Sequence, residues 1–174
     1  LGAEVIRVDL PGQTAATIQS AAIRHAVLNA NKKSVVIDHA DLRGQQILLD
    51  LVATASIVLY EADERRDLLP AIIAVPGARV VTIFSHFGFD GPYSGFVGSD
   101  LVTQALGGIA WLSGQPDGAP LRLPGEQSSF ITSLYGATAS AACLWDAETR
   151  GNSHLVDIAA QECIAHSLQN TLQV

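Results

Sequence analysis

Residues Ser34–Tyr60, SVVIDHADLRGQQILLDLVATASIVLY, decide the fold. A β-branched run, SVVID, is followed by Asp41–Ala53, where Leu42, Ile47, Leu48, Leu51 and Val52 recur close to helical spacing. A second β-branched run, SIVLY, then closes the stretch. Each run is almost continuously apolar, as in a strand buried on both faces of a parallel sheet; a strand with one solvated face would alternate. Strand, helix and strand at this spacing predict a right-handed βαβ unit.

The rhythm extends in both directions. Upstream, Glu4–Asp9 (EVIRVD) reads as a strand, and downstream so do Arg79–Phe84 (RVVTIF) and His154–Ile158 (HLVDI). Arg65–Ala74 is a shorter, weaker helix, and Gln127–Thr149 a long one closed by Gly151. The expected class is therefore α/β, with the first four strands parallel in one sheet and helices on its faces. Two segments break the rhythm: Ser85–Gly98 (SHFGFDGPYSGFVG) and Gly114–Gly125 (GQPDGAPLRLPG). Irregular loops of this length are uncommon in compact α/β domains unless they have a function, so both are candidates to hold a ligand. Plain surface connections are the alternative.

Composition narrows the classes. At 174 residues, 48% apolar and 16% charged, the chain has the size of one domain and is too hydrophobic for intrinsic disorder. Its net charge of −7 argues against a nucleic-acid-binding face. Cys143 and Cys163 form no Cys-x-x-Cys, so neither a zinc knuckle nor a disulfide framework is expected, and free thiols fit a cytoplasmic location. No run approaches 18 uninterrupted apolar residues, so no membrane span is expected. The chain contains no methionine and opens on Leu1-Gly2 within a structured segment, as a piece of a longer protein would.

Common catalytic signatures are missing. There is no Gly-x-Ser-x-Gly elbow and no phosphate-binding glycine loop ending in Lys-Ser or Lys-Thr. His25, His39, His86, His154 and His166 lack metal-ligand spacing, so no metal site is expected. Asp9, at the end of a strand, is open to a reading as the ribose-binding acid of a dinucleotide fold.

Taken in order, four blocks carry a resemblance: LGAEVIRVDLPG (residues 1–12), LNANKKSVVID (28–38), GFDGPYSGFVGSDLVTQALGG (88–108) and SLYGATASAACLWDAETRGNSHLVDIA (133–159). In that order and spacing they resemble the class III CoA-transferases, which include formyl-CoA and carnitine CoA-transferases and α-methylacyl-CoA racemase. The likeness runs in register from Leu1 to about Leu168. It implies a Rossmann-like large domain, of which residues 1–174 would lack the first strand and helix and the C-terminal small domain. It also implies a coenzyme A thioester as substrate rather than a tightly bound cofactor, a carboxylic acid as the other reactant, and a homodimer at full length.

By the same resemblance, Asn29, Lys32 and Lys33 belong beside CoA, and two adjacent lysines suit its phosphates as point charges. A solvated turn is the alternative for either lysine. Gly91, Pro92, Tyr93, Asp100 and Gln104 match the block that builds the acyl side of the site. Their plainer reading is a Gly-Pro turn followed by an N-capped helix, with Asp100 as a first-turn acid favoured by the helix dipole.

The chain departs from the family pattern at three places. The transferases use an aspartate that attacks the thioester to form an acyl-aspartyl anhydride, an energy-rich intermediate suited to passing the group onward. Counting from Pro120, with Ser133 at the small-residue position, that aspartate falls on Ser129. The racemases carry a histidine where this chain has Ser99, and the family's Glu-Asn-Phe-Arg-Pro-Gly loop over CoA reads Glu61-Ala62-Asp63-Glu64-Arg65-Arg66. The expected function is CoA transfer between an acyl-CoA thioester and a carboxylic acid, with Ser129 as the candidate catalytic position and activity in question there. A non-catalytic acyl-CoA-binding or scaffolding module and a racemase-like isomerase stay open as alternatives. So does a purely structural role in which Ser128 or Ser129 caps the long helix.

Overall fold

The computed structural model describes residues 2–12, 19–62, 67–77 and 79–169, which fall into two units, Leu1–Leu51 and Val52–Val174. In the first unit, β1 (Ile6–Asp9) and β2 (Lys33–Val36) pair in parallel, with Ile6 opposite Lys33 and Asp9 opposite Val36. Between them in sequence lies α1 (Gln19–Leu28), and α2 (Leu42–Ala53) follows. Gly44 sits where α2 meets the preceding turn: a Cβ added there would lie 1.7 Å from the Asp38 carbonyl oxygen.

The second unit contains β3 (Ile57–Glu61), α3 (Leu69–Ile73), β4 (Val80–Ser85), α4 (Asp100–Leu106), α5 (Ile109–Leu112), α6 (Gln127–Arg150), β5 (His154–Ala159) and α7 (Ala160–Ser167). Its sheet has the order β3-β4-β5 and is parallel throughout. The central strand forms the core: Val80, Val81, Thr82 and Ile83 are buried, together with Leu69 and Ile72 of α3 and Cys163 and Ile164 of α7. Burial on both faces is what its unbroken apolar run predicts.

Helix α6 lies against this sheet along a row of small residues, Ser128, Thr132, Gly136 and Ser140, each four apart and each buried. The Ser140 hydroxyl lies 2.7 Å from that of Thr82, and at Gly136 a Cβ would come within 2.3 Å of the Phe84 ring. As β4 advances from Thr82 to Phe84, its neighbour on α6 steps back from Ser140 to Gly136. The helix thus runs antiparallel to the strand and brings its N-terminus to the strand's carboxyl end. Gly151, with φ 75°, closes the helix by a bond from its N–H to the Ala147 carbonyl.

The molecule is thus α/β, with parallel sheets flanked by helices. The expectation of one sheet is corrected, because the first four strands divide between a β1-β2 pair and a β3-β4-β5 sheet. An unbroken apolar run marks a strand but carries no signal of which strand lies beside it. Nor are β1 and β2 deeply buried: Val8 is 39% and Val36 62% exposed. The expected helix from Arg65 to Ala74 reduces to Leu69–Ile73 among the described residues, and positions 63–66, with most of the altered loop after Glu61, lie outside them. Helices α1, α5 and α7 were not anticipated. No helix among the described residues is long and apolar enough to cross a membrane.

Candidate functional site

Parallel α/β sheets take ligands in the crevice outside the carboxyl ends of their strands. At that edge of the second unit lies a cleft of about 420 Å³, lined by Leu59 and Glu61 of β3, His86 beyond β4, Asp100 of α4, and Ser129 and Ser133 of α6. A hollow of similar size, about 440 Å³, lies at the amino ends of β4 and β5. Its charged residues Arg79 and Glu148 are paired with each other, and none of the expected site residues lines it.

Asp100 organises one end of the cleft. Ser99 is the N-cap of α4, its hydroxyl accepting from the Val102 N–H, which places Asp100 in the first turn as expected. The Asp100 carboxylate then reaches away from its own helix. Oδ1 accepts from the Ser128 N–H at 3.1 Å and from the Ser128 hydroxyl. Oδ2 accepts from Gln104 Nε2 at 2.8 Å and from Arg122 Nη2 at 2.9 Å and Nε at 3.1 Å. Burial pushes the Asp100 carboxyl up, but the bonds donated by Ser128, Arg122 and Gln104 outweigh it and hold the group below its ordinary value. Gln104 is fully buried, and its Oε1 accepts from the Leu123 N–H at 2.9 Å. Through Gln104 and Arg122, Asp100 fixes the proline-rich 114–125 loop as well as the start of α6.

This geometry corrects the expected cap. The cap position of α6 is Glu126, which makes no side-chain cap bond, and Ser128 and Ser129 stand inside the first turn. An Asp100 carboxylate from another helix does the capping, by accepting from the Ser128 N–H. Ser128 is buried, whereas Ser129 is exposed to the cleft, and its hydroxyl bonds to no protein group among the described residues. His86 lines the same cleft, and among the described residues no base of the kind that activates serine nucleophiles is bonded to Ser129.

Of the other expected residues, Gly91, Pro92 and Tyr93 form a turn, with the Ser94 N–H bonded to the Gly91 carbonyl and Gly91 at φ 92°. They do not line the cleft; Tyr93 instead joins a chain of tilted aromatic contacts with Phe87 and Phe96. Asn29, Lys32 and Lys33 belong to the first unit. There Lys32 Nζ donates to Asn29 Oδ1 at 3.0 Å and Lys33 pairs with Glu4 at 2.8 Å. Asp9 accepts from Arg7 and Ser34, which commits its carboxylate to the β1-β2 pair.

The sequence profile of CoA-transferase family III matches residues 1–174. The chain belongs to that family. It is 29% identical to a succinyl-CoA:(R)-benzylsuccinate CoA-transferase subunit of Thauera aromatica, over 99% of this chain and 46% of the relative. It is 30% identical to the succinate–glutarate CoA-transferase of Agrobacterium fabrum, over 87% of this chain and 39% of the relative. The crystal structure of a CaiB/BaiF family protein from Brucella suis superposes with a TM-score of 0.89 at 27% identity, covering 99% of this chain and 50% of that one. The family III chain described here thus spans about half the length of the relatives it matches.

Ser85 and His86, which line the cleft where β4 ends, open the Ser85–Gly98 segment expected to hold a ligand, but sequence reasoning did not single them out. The available signal was the end of a central parallel strand, since ligands gather at such ends whatever residues stand there.

Proposed function

We propose that this chain carries the thioester-binding part of a CoA-transferase that moves CoA between an acyl-CoA and a carboxylic acid. The observation that supports this most is the cleft at the carboxyl ends of β3 and β4, lined by both Ser129 and Asp100, in a chain matched along its whole length by the family. The relatives' names share CoA transfer involving succinyl or succinate and a second acid, which supports this reactant class. The family resemblance also supports a homodimer of full-length chains with the CoA thioester as substrate, and the free thiols of Cys143 and Cys163 fit a cytoplasmic location.

In this reading Ser129 takes the place of the family's nucleophilic aspartate. A serine hydroxyl must lose a proton to attack, and its ester lies well below an anhydride in free energy; a carboxylate attacks as it stands and forms the anhydride. Ser129 therefore shapes the cleft without forming the intermediate. The test is to titrate the full-length protein with coenzyme A, and then to measure CoA transfer from succinyl-CoA to a panel of carboxylic acids, in wild type and in Ser129→Asp. Binding in both proteins and a rise in transfer in the variant are expected. Failure of the wild type to bind coenzyme A would remove the reading.

A further inference from the structure

Two carboxylates of the described residues line the cleft, and their surroundings differ. Asp100 accepts bonds from Ser128, Gln104 and Arg122 and has no free direction in which to attack. Glu61 is the last residue of β3, exposed, and its side chain forms no hydrogen bond or ion pair among the described residues. The strand register sets where it stands. Leu59 pairs with Thr82 and Glu61 with Phe84, so Leu59 and Glu61 share the sheet face on which α6 lies. Helix α6 covers the β4 members of those pairs, through Ser140 and Gly136, and leaves Leu59 64% exposed. The cleft is the groove left between this open row of β3 and the exposed row Ser129, Ser133 and Ala137 of α6.

We propose that the Glu61 carboxylate is the nucleophile of this cleft, taking the role that the family gives to an aspartate at the position of Ser129. The proposal rests on the reading of the cleft as a thioester site. A Glu61 oxygen attacks the thioester carbonyl carbon, the C–S bond breaks, and CoA leaves as thiolate, giving a glutamyl–acyl anhydride. Attacking and leaving groups are both anions, so no proton moves and no base is needed, in keeping with the unpaired Ser129. The thiolate then attacks the glutamyl carbonyl, releasing the first acid and leaving a glutamyl–CoA thioester. An acceptor carboxylate attacks that thioester to form a second anhydride, and the thiolate takes up the new acyl group and restores Glu61.

The experiment treats the full-length protein with succinyl-CoA, quenches with hydroxylamine and maps modified peptides by mass spectrometry, with coenzyme A binding followed by calorimetry. A hydroxamate on Glu61 is expected. In Glu61→Gln it should fall on the order of 10³-fold while coenzyme A still binds. Among the described residues the side chain has no partner to lose, and circular dichroism of the variant checks the fold. A hydroxamate on another residue, an undiminished yield in Glu61→Gln, or a wild type that binds coenzyme A without acquiring any label each overturns the proposal. A wild type that does not bind coenzyme A overturns the reading of the cleft, and this proposal with it.

Discussion

Asp100 joins segments far apart in the chain, because its two oxygens take bonds from α4, the 114–125 loop and the first turn of α6. A carboxyl whose value falls on folding adds stability that is complete above its unfolded value and is lost as acid carries the pH down through the folded one. For Asp100 the unfolded value is the ordinary 3.8 and the folded value lies below it. Replacing Asp100 by Asn should therefore cost about 2 kcal/mol at neutral pH, since bonds to a charged acceptor become bonds to a neutral one or are lost. The gap between wild type and variant should narrow as the pH drops below 3.8, as measured by urea unfolding across the acid range. A gap unchanged in acid would mean that the carboxylate does not stabilise the fold. The sequence marked Asp100 for two sound reasons, its block and its place in a helix's first turn. Its capping of another helix, 28 residues on, was hidden, because nothing local records which distant N–H a side chain will meet.

Among the elements, α2 and α6 show how much of a helix is legible in advance. Apolar spacing placed α2 and the closing Gly151 placed α6, and each differs from its expected bounds by one residue at one end, α2 starting at Leu42 and α6 ending at Arg150. The reason for their glycines lay in packing. Gly44 reads as a defect in α2, and Ala there would gain about 1 kcal/mol of helix propensity. Because its Cβ would lie 1.7 Å from the backbone oxygen of Asp38, Gly44→Ala should instead lose about 2 kcal/mol net. Gly95→Ala, with open space around it, should stay within about 0.5 kcal/mol of wild type in the same thermal melts. Equal effects at the two sites would show that the close approach at Gly44 relaxes freely. The division of the strands into two sheets was illegible for a related reason: the apolar run states how a strand is buried, while its partner is chosen by the rest of the chain.

Over the whole molecule, apolar surface remains open in both units. In the first, Ile23 and Val27 of α1 are 63% and 70% exposed, and the strand valines Val8 and Val36 are open as well. In the second, Phe130, Leu134 and Trp145 share one face of α6, and Trp111 of α5 is 78% exposed. Single exposed apolar residues are ordinary, but a face of them on a long helix favours contact with other chains. The 174-residue chain in isolation should associate, giving a scattering mass above that of a monomer that rises with concentration; a concentration-independent monomer would contradict this. The register of the second sheet has a further consequence, in time. Val80 pairs with His154, so β4 leaves the ribosome more than 70 residues before its neighbour β5. At roughly 5–20 residues per second, one edge of the core strand waits several seconds without its partner. During synthesis, that interval is when β4 is most open to pairing with the wrong strand, and when a chaperone would have the most to protect.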